Sequence, residues 1–286
     1  MKYVFLINSF TVKSQVDKIK NNIKNYCLDK LIDYVIEVNS DDYSTEDILK
    51  KYVSGKYMIV AIGGDGLINR ILKYMINSNN ILSIVPCGSG NDFYRVIEKN
   101  TVINCDCLKI NDQYFINTAC FGIDADVANN KDTIKIKYLP KKQCYNIALV
   151  KTFFKYRPKH MKVSINNVVY EFDFTTVVVC NGGFYGGGYN INPASSINDG
   201  CIEVYLVKNV HKIKMLYLIL KMKKGKHINL KDVLKLTGER VEIDAKNEIT
   251  ANIDGEKKVA NHFNIELLKN SIQLYVNEEM NKKILD

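Results

Sequence analysis

YMIVAIGGDGLINRILKYMI, residues Tyr57–Ile76, decides how the chain is read. Tyr57–Ile62 is an apolar run suited to a buried strand, and Leu67–Ile76 carries apolar side chains at helical spacing. Gly63-Gly64-Asp65-Gly66 joins the two. A second loop of the same make, Gly88-Ser89-Gly90-Asn91-Asp92, follows the strand-like Ile81–Val85 and Pro86. Glycines at the carboxyl end of a strand let backbone N–H groups approach phosphate oxygens, and the next helix N-terminus adds partial positive charge for an anion. A carboxylate beside a polyphosphate is repelled unless a divalent cation lies between them. Asp65 and Asp92 in such loops therefore point to a Mg²⁺-nucleotide. Either loop alone also reads as a plain Gly-Gly or Asp-Gly turn; the repetition favours the phosphate reading.

Outward from these loops, Lys2–Asn8 alternates as a strand, Lys13–Asp29 has apolar Val16, Ile19, Ile23 and Tyr26 at helical spacing, and Tyr34–Val38 is a further strand. Ser44 and Asp47 form a capping-box start for a helix that runs through Val53 and stops at Gly55. Strands alternating with helices require crossover connections, hence a parallel sheet. Residues 1–125 are expected to be one doubly wound α/β domain. After a helix expected at Cys144–Tyr156 the pattern changes to short runs bounded by turns: Lys162–Ile165, Val168–Cys180, Gly200–Val207, Arg240–Asp244, Ile249–Ile253 and His262–Leu268. Asn166-Asn167 and Asp254-Gly255 are hairpin-type dipeptides. Residues 126–276 are expected to form an antiparallel β-sandwich domain. Asn277–Asp286 looks helical, and whether it completes the first domain stays open.

At 286 residues, two domains are the natural division. With 47% hydrophobic and 25% charged residues and only 4 Pro, the chain has the means to bury a core throughout. The 8 cysteines lie mostly in apolar runs without C-x-x-C pairing, so they read as reduced core residues in a cytoplasmic protein. Met1 leads directly into a strand rather than a basic, then apolar leader, and no apolar run approaches spanning length, so neither a secretory signal nor a membrane span is expected. The net charge of +9 is concentrated in Lys208–Lys226, KNVHKIKMLYLILKMKKGK. That composition suits a helix resting on an anionic lipid surface. A core-facing helix with a solvated basic edge accounts for it at least as well. Nucleic acid is not expected as a partner, because no base-stacking motif or nucleic-acid module accompanies the charge.

Five motifs in order, IGGDGLINR (Ile62–Arg70), PCGSGNDFYR (Pro86–Arg95), FGIDADV (Phe121–Val127), NGGFYGGGYNINPASSINDG (Asn181–Gly200) and NIDGE (Asn252–Glu256), resemble the soluble bacterial branch of the diacylglycerol kinase-like lipid kinases over nearly the full length. NAD kinases and phosphofructokinases share the G-G-D-G loop and the doubly wound domain, but the glycine-rich block points to the lipid branch. The resemblance implies ATP in a cleft between two domains and phosphate transfer to the hydroxyl of diacylglycerol or a related lipid alcohol. The enzyme would act as a peripheral protein at the cytoplasmic membrane face; a homodimer stays open. It also implies site residues. Asn8, Ser9, Phe10, Thr11, Val12, Ser40 and Ser89 match ATP contacts, and Gly63, Gly64, Asp65, Gly66, Leu67, Asn69 and Arg70, with Gly88, Gly90 and Asn91, match the phosphate loops. Asp65, Asp92 and Asp124 match the acidic set for catalytic Mg²⁺. Asp199, with backbone near Ser196 and Cys201, matches a second, structural metal. Asp254 and Glu256 match the D-G-E that holds the general base, which orients the hydroxyl and accepts its proton late. Read without the resemblance, Asn198-Asp199-Gly200 is an ordinary turn, and Asp254-Gly255 is a hairpin turn with a solvated Glu256 after it.

The chain also departs from that pattern. Its first loop lacks the usual Pro and Gly, Leu67 stands where Thr is usual, and Arg70 stands where Glu is usual. These changes leave open altered nucleotide affinity, or a phosphate contact from Arg70 itself. The alternative functions are a kinase of a soluble acceptor such as NAD and a weakly catalytic nucleotide- or lipid-binding regulator.

Overall fold

The computed structural model describes residues 1–130 and 153–286. The helix expected at Cys144–Tyr156 lies outside the described residues apart from its end, where residues 153–155 are helical. The chain forms two compact units: Met1–Cys107 with Ser196–Gly200 and Leu268–Asp286, and Leu108–Ser195 with Cys201–Leu267.

In the first unit β1 (Lys2–Ile7), β2 (Tyr34–Val38), β3 (Tyr57–Gly63) and β4 (Ile81–Pro86) pair in the order β2-β1-β3-β4, all parallel. The far edge of β4 takes Gln273 and Leu274, near the end of β15 (Glu256–Tyr275), also in parallel. The strands are continuous apolar runs because both faces are covered, as a parallel sheet requires. On one face α2 (Val16–Asp29) turns Ile19 and Ile23 onto Phe5, Ile7, Val60 and Ile62. Met280 and Ile284 of the C-terminal helix Glu278–Leu285 join the same cluster. This last helix is fixed by Asn22 Nδ2 donating to the Ile284 carbonyl at 3.0 Å, Asn281 Nδ2 donating to the Ile84 carbonyl at 2.9 Å, and a Lys30–Glu279 ion pair at 2.9 Å.

Helix boundaries differ from the sequence expectation. Lys13–Gln15 is a 3₁₀ turn preceding α2, since exposed Lys13, Ser14 and Gln15 give that turn no apolar face to bury. Ser44 caps α3 (Thr45–Lys50), accepting from the Asp47 amide at 3.2 Å, but the helix ends at Lys50, before Val53.

The second unit is antiparallel. β9 (Val168–Cys180) and β14 (Arg240–Ile253) are each long enough to pair with β8 (Lys159–Ile165) at one end and with β7 (Thr118–Gly122) at the other. β9 also pairs β12 (Ile202–Lys208), which pairs β13 (Val233–Gly238), and β14 forms a hairpin with β15. Expected strand runs thus merge: Arg240–Asp244 and Ile249–Ile253 are one strand with a register shift between Asp244 and Ile249. Asn166-Asn167 and Asp254-Gly255 are two-residue turns with φ of 47°, 68°, 46° and 93°, the left-handed conformation at both positions that matches the twist of a tight hairpin. Phe121, Phe174, Val177, Val204, Ile243 and Phe263 lie in a core without solvent contact.

Candidate active site

In the first unit the two glycine loops are one object. Gly64 is the N-cap of α4 (Asp65–Met75), and the Cys87 amide donates to the Gly63 carbonyl at 2.9 Å. A Cβ on Gly88 would lie 2.5 Å from Gly64 Cα, and one on Gly64 would lie 2.8 Å from Gly88 Cα, so the loops touch backbone to backbone and both positions must be glycine. The Asp65 carboxylate closes the join, accepting from the Asp92 amide at 3.0 Å and the Phe93 amide at 3.1 Å. Asn91, at φ 51°, turns its side chain back on Gly88, accepting from its amide and donating to its carbonyl at 2.9 Å each. Asp92 is buried, with Arg95 Nε 3.6 Å from its Oδ1. Gly66 faces open space and Ser89 is exposed. Beside them the Asn69 side-chain nitrogen is buried without a partner among the described residues, a donor left over for a ligand.

The first loop reaches the same strand ends. Asn8 is buried, donates its amide to the Ile62 carbonyl at 3.0 Å, and caps the short helix α1 (Ser9–Val12) by accepting from the Phe10 amide. Ser9 is held by Asn39, whose Oδ1 accepts the Ser9 amide at 2.9 Å and whose carbonyl accepts the Ser9 hydroxyl at 2.6 Å. The sequence reading named Ser40 and missed Asn39. Its signal was present, since an Asn just past an apolar strand repeats the arrangement of Asn8 after β1. Phe10, Thr11 and Ser40 are exposed. Val12 and Leu67 are buried, so their side chains serve the core and only their backbone remains for a ligand. Arg70 is exposed and makes no ion pair among the described residues.

In the second unit Asp254 sits at the tip of the β14–β15 hairpin. Its carboxylate accepts three backbone amides, from Ile116 at 2.8 Å, Asn117 at 3.2 Å and Thr118 at 2.8 Å. That makes Asp254 a clamp on the segment entering β7. Glu256, two residues on, is exposed and takes one bond from Gln113 Nε2 at 3.2 Å.

Asp124, at the head of α5 (Ile123–Asn130), accepts from the Thr176 hydroxyl at 2.6 Å and the Tyr185 hydroxyl at 3.0 Å. Burial pushes its carboxyl above the ordinary carboxylate range, and the two hydroxyls oppose that shift. Tyr185 is delivered by the glycine-rich block: β10 (Phe184–Tyr185) turns through Gly186–Gly188, all at positive φ, onto β11 (Tyr189–Asn190). Asn117 Nδ2 holds the Phe184 carbonyl. An aromatic hydroxyl set between glycines, Tyr185 between Gly182-Gly183 and Gly186–Gly188, was the sequence signal for this contact. Asp124 and Thr176 also line a largely apolar pocket walled by Val178, Tyr205, Val207, Leu218 and Met222.

The Asn198-Asp199-Gly200 turn belongs to the first unit and is pinned by a residue the sequence reading missed. Asp106 has no solvent exposure; its carboxylate accepts the Gly200 amide at 2.8 Å and the Asn270 amide at 2.7 Å, while its own amide donates to the Ile197 carbonyl. A carboxylate inside the apolar run of β5 (Val102–Ile110) was its signal. Asp199 is exposed, Ser196 bonds Asn198 Oδ1 at 3.0 Å, and Cys201 opens the next stretch of the second unit. Among the described residues no three His, Cys, Asp or Glu side chains gather closely enough to hold a metal unaided. Mg²⁺ keeps much of its water shell and takes few carboxylates, so the neighbouring Asp65 and Asp92 of the first unit have the chemistry for Mg²⁺ shared with a polyphosphate and not that of a closed transition-metal site.

The model of the diacylglycerol kinase catalytic domain matches residues 2–118, and that of the YegS C-terminal NAD kinase beta sandwich-like domain matches residues 117–276. The chain belongs to the diacylglycerol kinase-like lipid kinases. It is 25% identical over 215 residues to a protein of Bacillus subtilis (strain 168) named "Diacylglycerol kinase", covering 70% of this chain and 71% of that one. It is 27% identical over 237 residues to "Probable lipid kinase YegS-like" of Serratia proteamaculans (strain 568), covering 77% and 76%. A crystal structure of a diacylglycerol kinase from Bacillus anthracis str. Sterne has the same fold, with TM-score 0.74 and 21% identity over 97% of this chain and 98% of that one. The protein is therefore a kinase with a catalytic N-terminal domain and a β-sandwich C-terminal domain, and as a kinase it uses a nucleotide such as ATP. Among the described residues no helix is long and apolar enough to cross a membrane.

Proposed function

We propose that this kinase transfers the γ-phosphate of ATP, with Mg²⁺, to the hydroxyl of diacylglycerol or a related lipid alcohol, acting as a peripheral protein at the inner face of the membrane. The observation that carries the nucleotide half is the backbone contact of Gly64 with Gly88 at the head of α4, with open space at Gly66 and an unpaired donor on Asn69. Amides at a helix N-terminus favour a phosphate there. The acceptor half is supported by the name of the Bacillus subtilis relative and by the apolar lining of the small pocket beside Asp124. We read the first unit, Met1–Cys107 with Ser196–Gly200 and Leu268–Asp286, as the nucleotide domain of the doubly wound NAD kinase and phosphofructokinase kind, and the second, Leu108–Ser195 with Cys201–Leu267, as the lipid-substrate domain; the boundary expected at residue 125 moves to 107, because β7 pairs with β9 and β14 of the second unit. The parallel order β2-β1-β3-β4 supports the first assignment.

In the first unit Asp65 and Asp92 are the carboxylates that would hold Mg²⁺, largely through water, and the bound ion would neutralise charge on the phosphates; the family resemblance adds Asp124 to that acidic set. A second ion at Asp199, Ser196 and Cys201 would add to the hold Asp106 already has on that turn. Glu256 is the group we assign to accept the hydroxyl proton, since Asp254 is committed to three amides and positions the segment before β7. One observation favours weak catalysis: Leu67 is packed in the core and offers no hydroxyl to the phosphates.

The test is transfer from γ-labelled ATP and Mg²⁺ to diacylglycerol in mixed micelles, with NAD as the soluble comparison, reading label in the organic phase. Glu256→Gln should lower lipid turnover on the order of 10²–10⁴-fold at unchanged ATP affinity. Label found only in aqueous products, or none transferred by the wild type, would overturn the lipid reading.

A further inference from the structure

The helix Lys212–Met222 has two apolar faces. Met215, Leu218 and Met222 point into the second unit, all three lining the pocket beside Asp124. Ile213, Leu216, Tyr217 and Leu220, at the i, i+3, i+4 and i+7 positions of the other face, are exposed, Ile213 by 80% and Leu220 by 61%. Phe154, exposed by 64%, lies next to this face, with Lys212 Nζ 5.7 Å from its ring. Among the described residues nothing covers the patch. Contiguous exposed apolar side chains of this kind mark a docking surface.

The surrounding charge selects the occupant. From Lys208 through Lys231 there is no Asp or Glu. Lys212, Lys223, Lys224 and Lys226 are exposed around the stripe, and Lys221 lies 5.2 Å from the Tyr217 ring. Among the described residues Lys214 pairs with a carboxylate, Asp232 at 2.7 Å. Nucleic acid would use the lysines but gain nothing from four aliphatic and aromatic side chains. A bilayer with anionic headgroups satisfies both, since lysines reach headgroups while the stripe enters the acyl boundary.

We propose that this helix is the membrane-docking element: Ile213, Leu216, Tyr217 and Leu220 insert into the bilayer, the lysines contact anionic headgroups, and the opposite face roofs the small apolar pocket beside Asp124. The inference deepens the lipid-acceptor reading and rests on it for its purpose. Its measurement needs no turnover. The chain contains no Trp, so Leu220→Trp introduces a single reporter at an exposed position. Its emission should shift to the blue on vesicles of phosphatidylglycerol and phosphatidylcholine. Ile213→Gln/Leu216→Gln/Leu220→Gln, all at exposed positions, should weaken co-sedimentation with those vesicles on the order of tenfold without lowering the melting temperature. Neutralising Lys221, Lys223, Lys224 and Lys226 to Gln should instead remove the salt-sensitive part of binding. Unshifted Trp emission on sedimented protein, or equal sedimentation of wild type and the apolar variant, would overturn the proposal. Phosphorylation of a short-chain, monomerically dispersed diacylglycerol separates the two claims: turnover there without vesicle docking removes only this helix, and docking without turnover removes only the lipid-kinase reading.

Discussion

At the scale of single residues, the carboxylates divide by what surrounds them. Asp65 and Asp254 are held by backbone amides and Asp106 pins a turn, so their first effect is geometric, whereas Asp124 sits under hydroxyls in an apolar setting that penalises its charge. Because burial raises the Asp124 pKa above its unfolded value, the folded state holds that proton more tightly. The group therefore favours folding at low pH, and this contribution is lost as pH rises through the folded value. Asp124→Asn keeps an oxygen able to accept from Thr176 and Tyr185 and removes the charge. In metal-free protein the variant should gain thermal stability relative to wild type at pH 8, with a smaller gain at pH 4, and lose kinase activity. Melting curves across pH measure this, and a gain that grows toward acid pH would contradict the assigned cause.

At the scale of elements, the strand–loop–helix unit around Gly64 is built for close approach to the second glycine loop, and Gly88 and Gly66 separate packing from ligand binding. Gly88→Ala forces a methyl to within 2.5 Å of Gly64 Cα, so it should cost about 1–3 kcal/mol or more and weaken ATP binding. Gly66 lies inside α4 with nothing within 4 Å of an added Cβ. Gly66→Ala should therefore leave stability unchanged or raise it by up to about 1 kcal/mol, the usual helix preference for Ala over Gly. If phosphate closes onto that face, the same methyl should still reduce nucleotide affinity. Denaturant midpoints together with ATP titration read both effects, and an unimpaired Gly66→Ala would move the phosphate site elsewhere.

At the scale of the whole molecule, neither unit is one continuous stretch of chain. The first unit needs Ser196–Gly200 and Leu268–Asp286, which supply an edge pairing to β4, the partners of Asp106, and Met280 and Ile284 in the core over β1 and β3. A fragment ending at Thr118 loses all of these and retains buried polar groups without partners. It should lack a cooperative unfolding transition by circular dichroism although it spans the whole match to the catalytic-domain model. A sharp, reversible transition in that fragment would show that the returning segments are dispensable.

The sequence by itself determined the parallel strands, both hairpin turns and the two glycine loops. Each follows from local rules: apolar runs, φ preference at Asn-Asn and Asp-Gly, and the lack of a Cβ where backbones meet. It missed Asn39, Asp106, Thr176 and Tyr185, because an Asn after a strand, a carboxylate in an apolar run or a Tyr among glycines marks a residue without saying which distant segment it holds. Only the tertiary structure committed Asp254 to three amides, sent Leu67 and Val12 into the core, and returned the C-terminal helix to the first unit. The lysines of Lys208–Lys226 were legible as charge. Which of its apolar side chains are buried depends on what the helix packs against, and periodicity alone does not say which of two apolar faces meets the core.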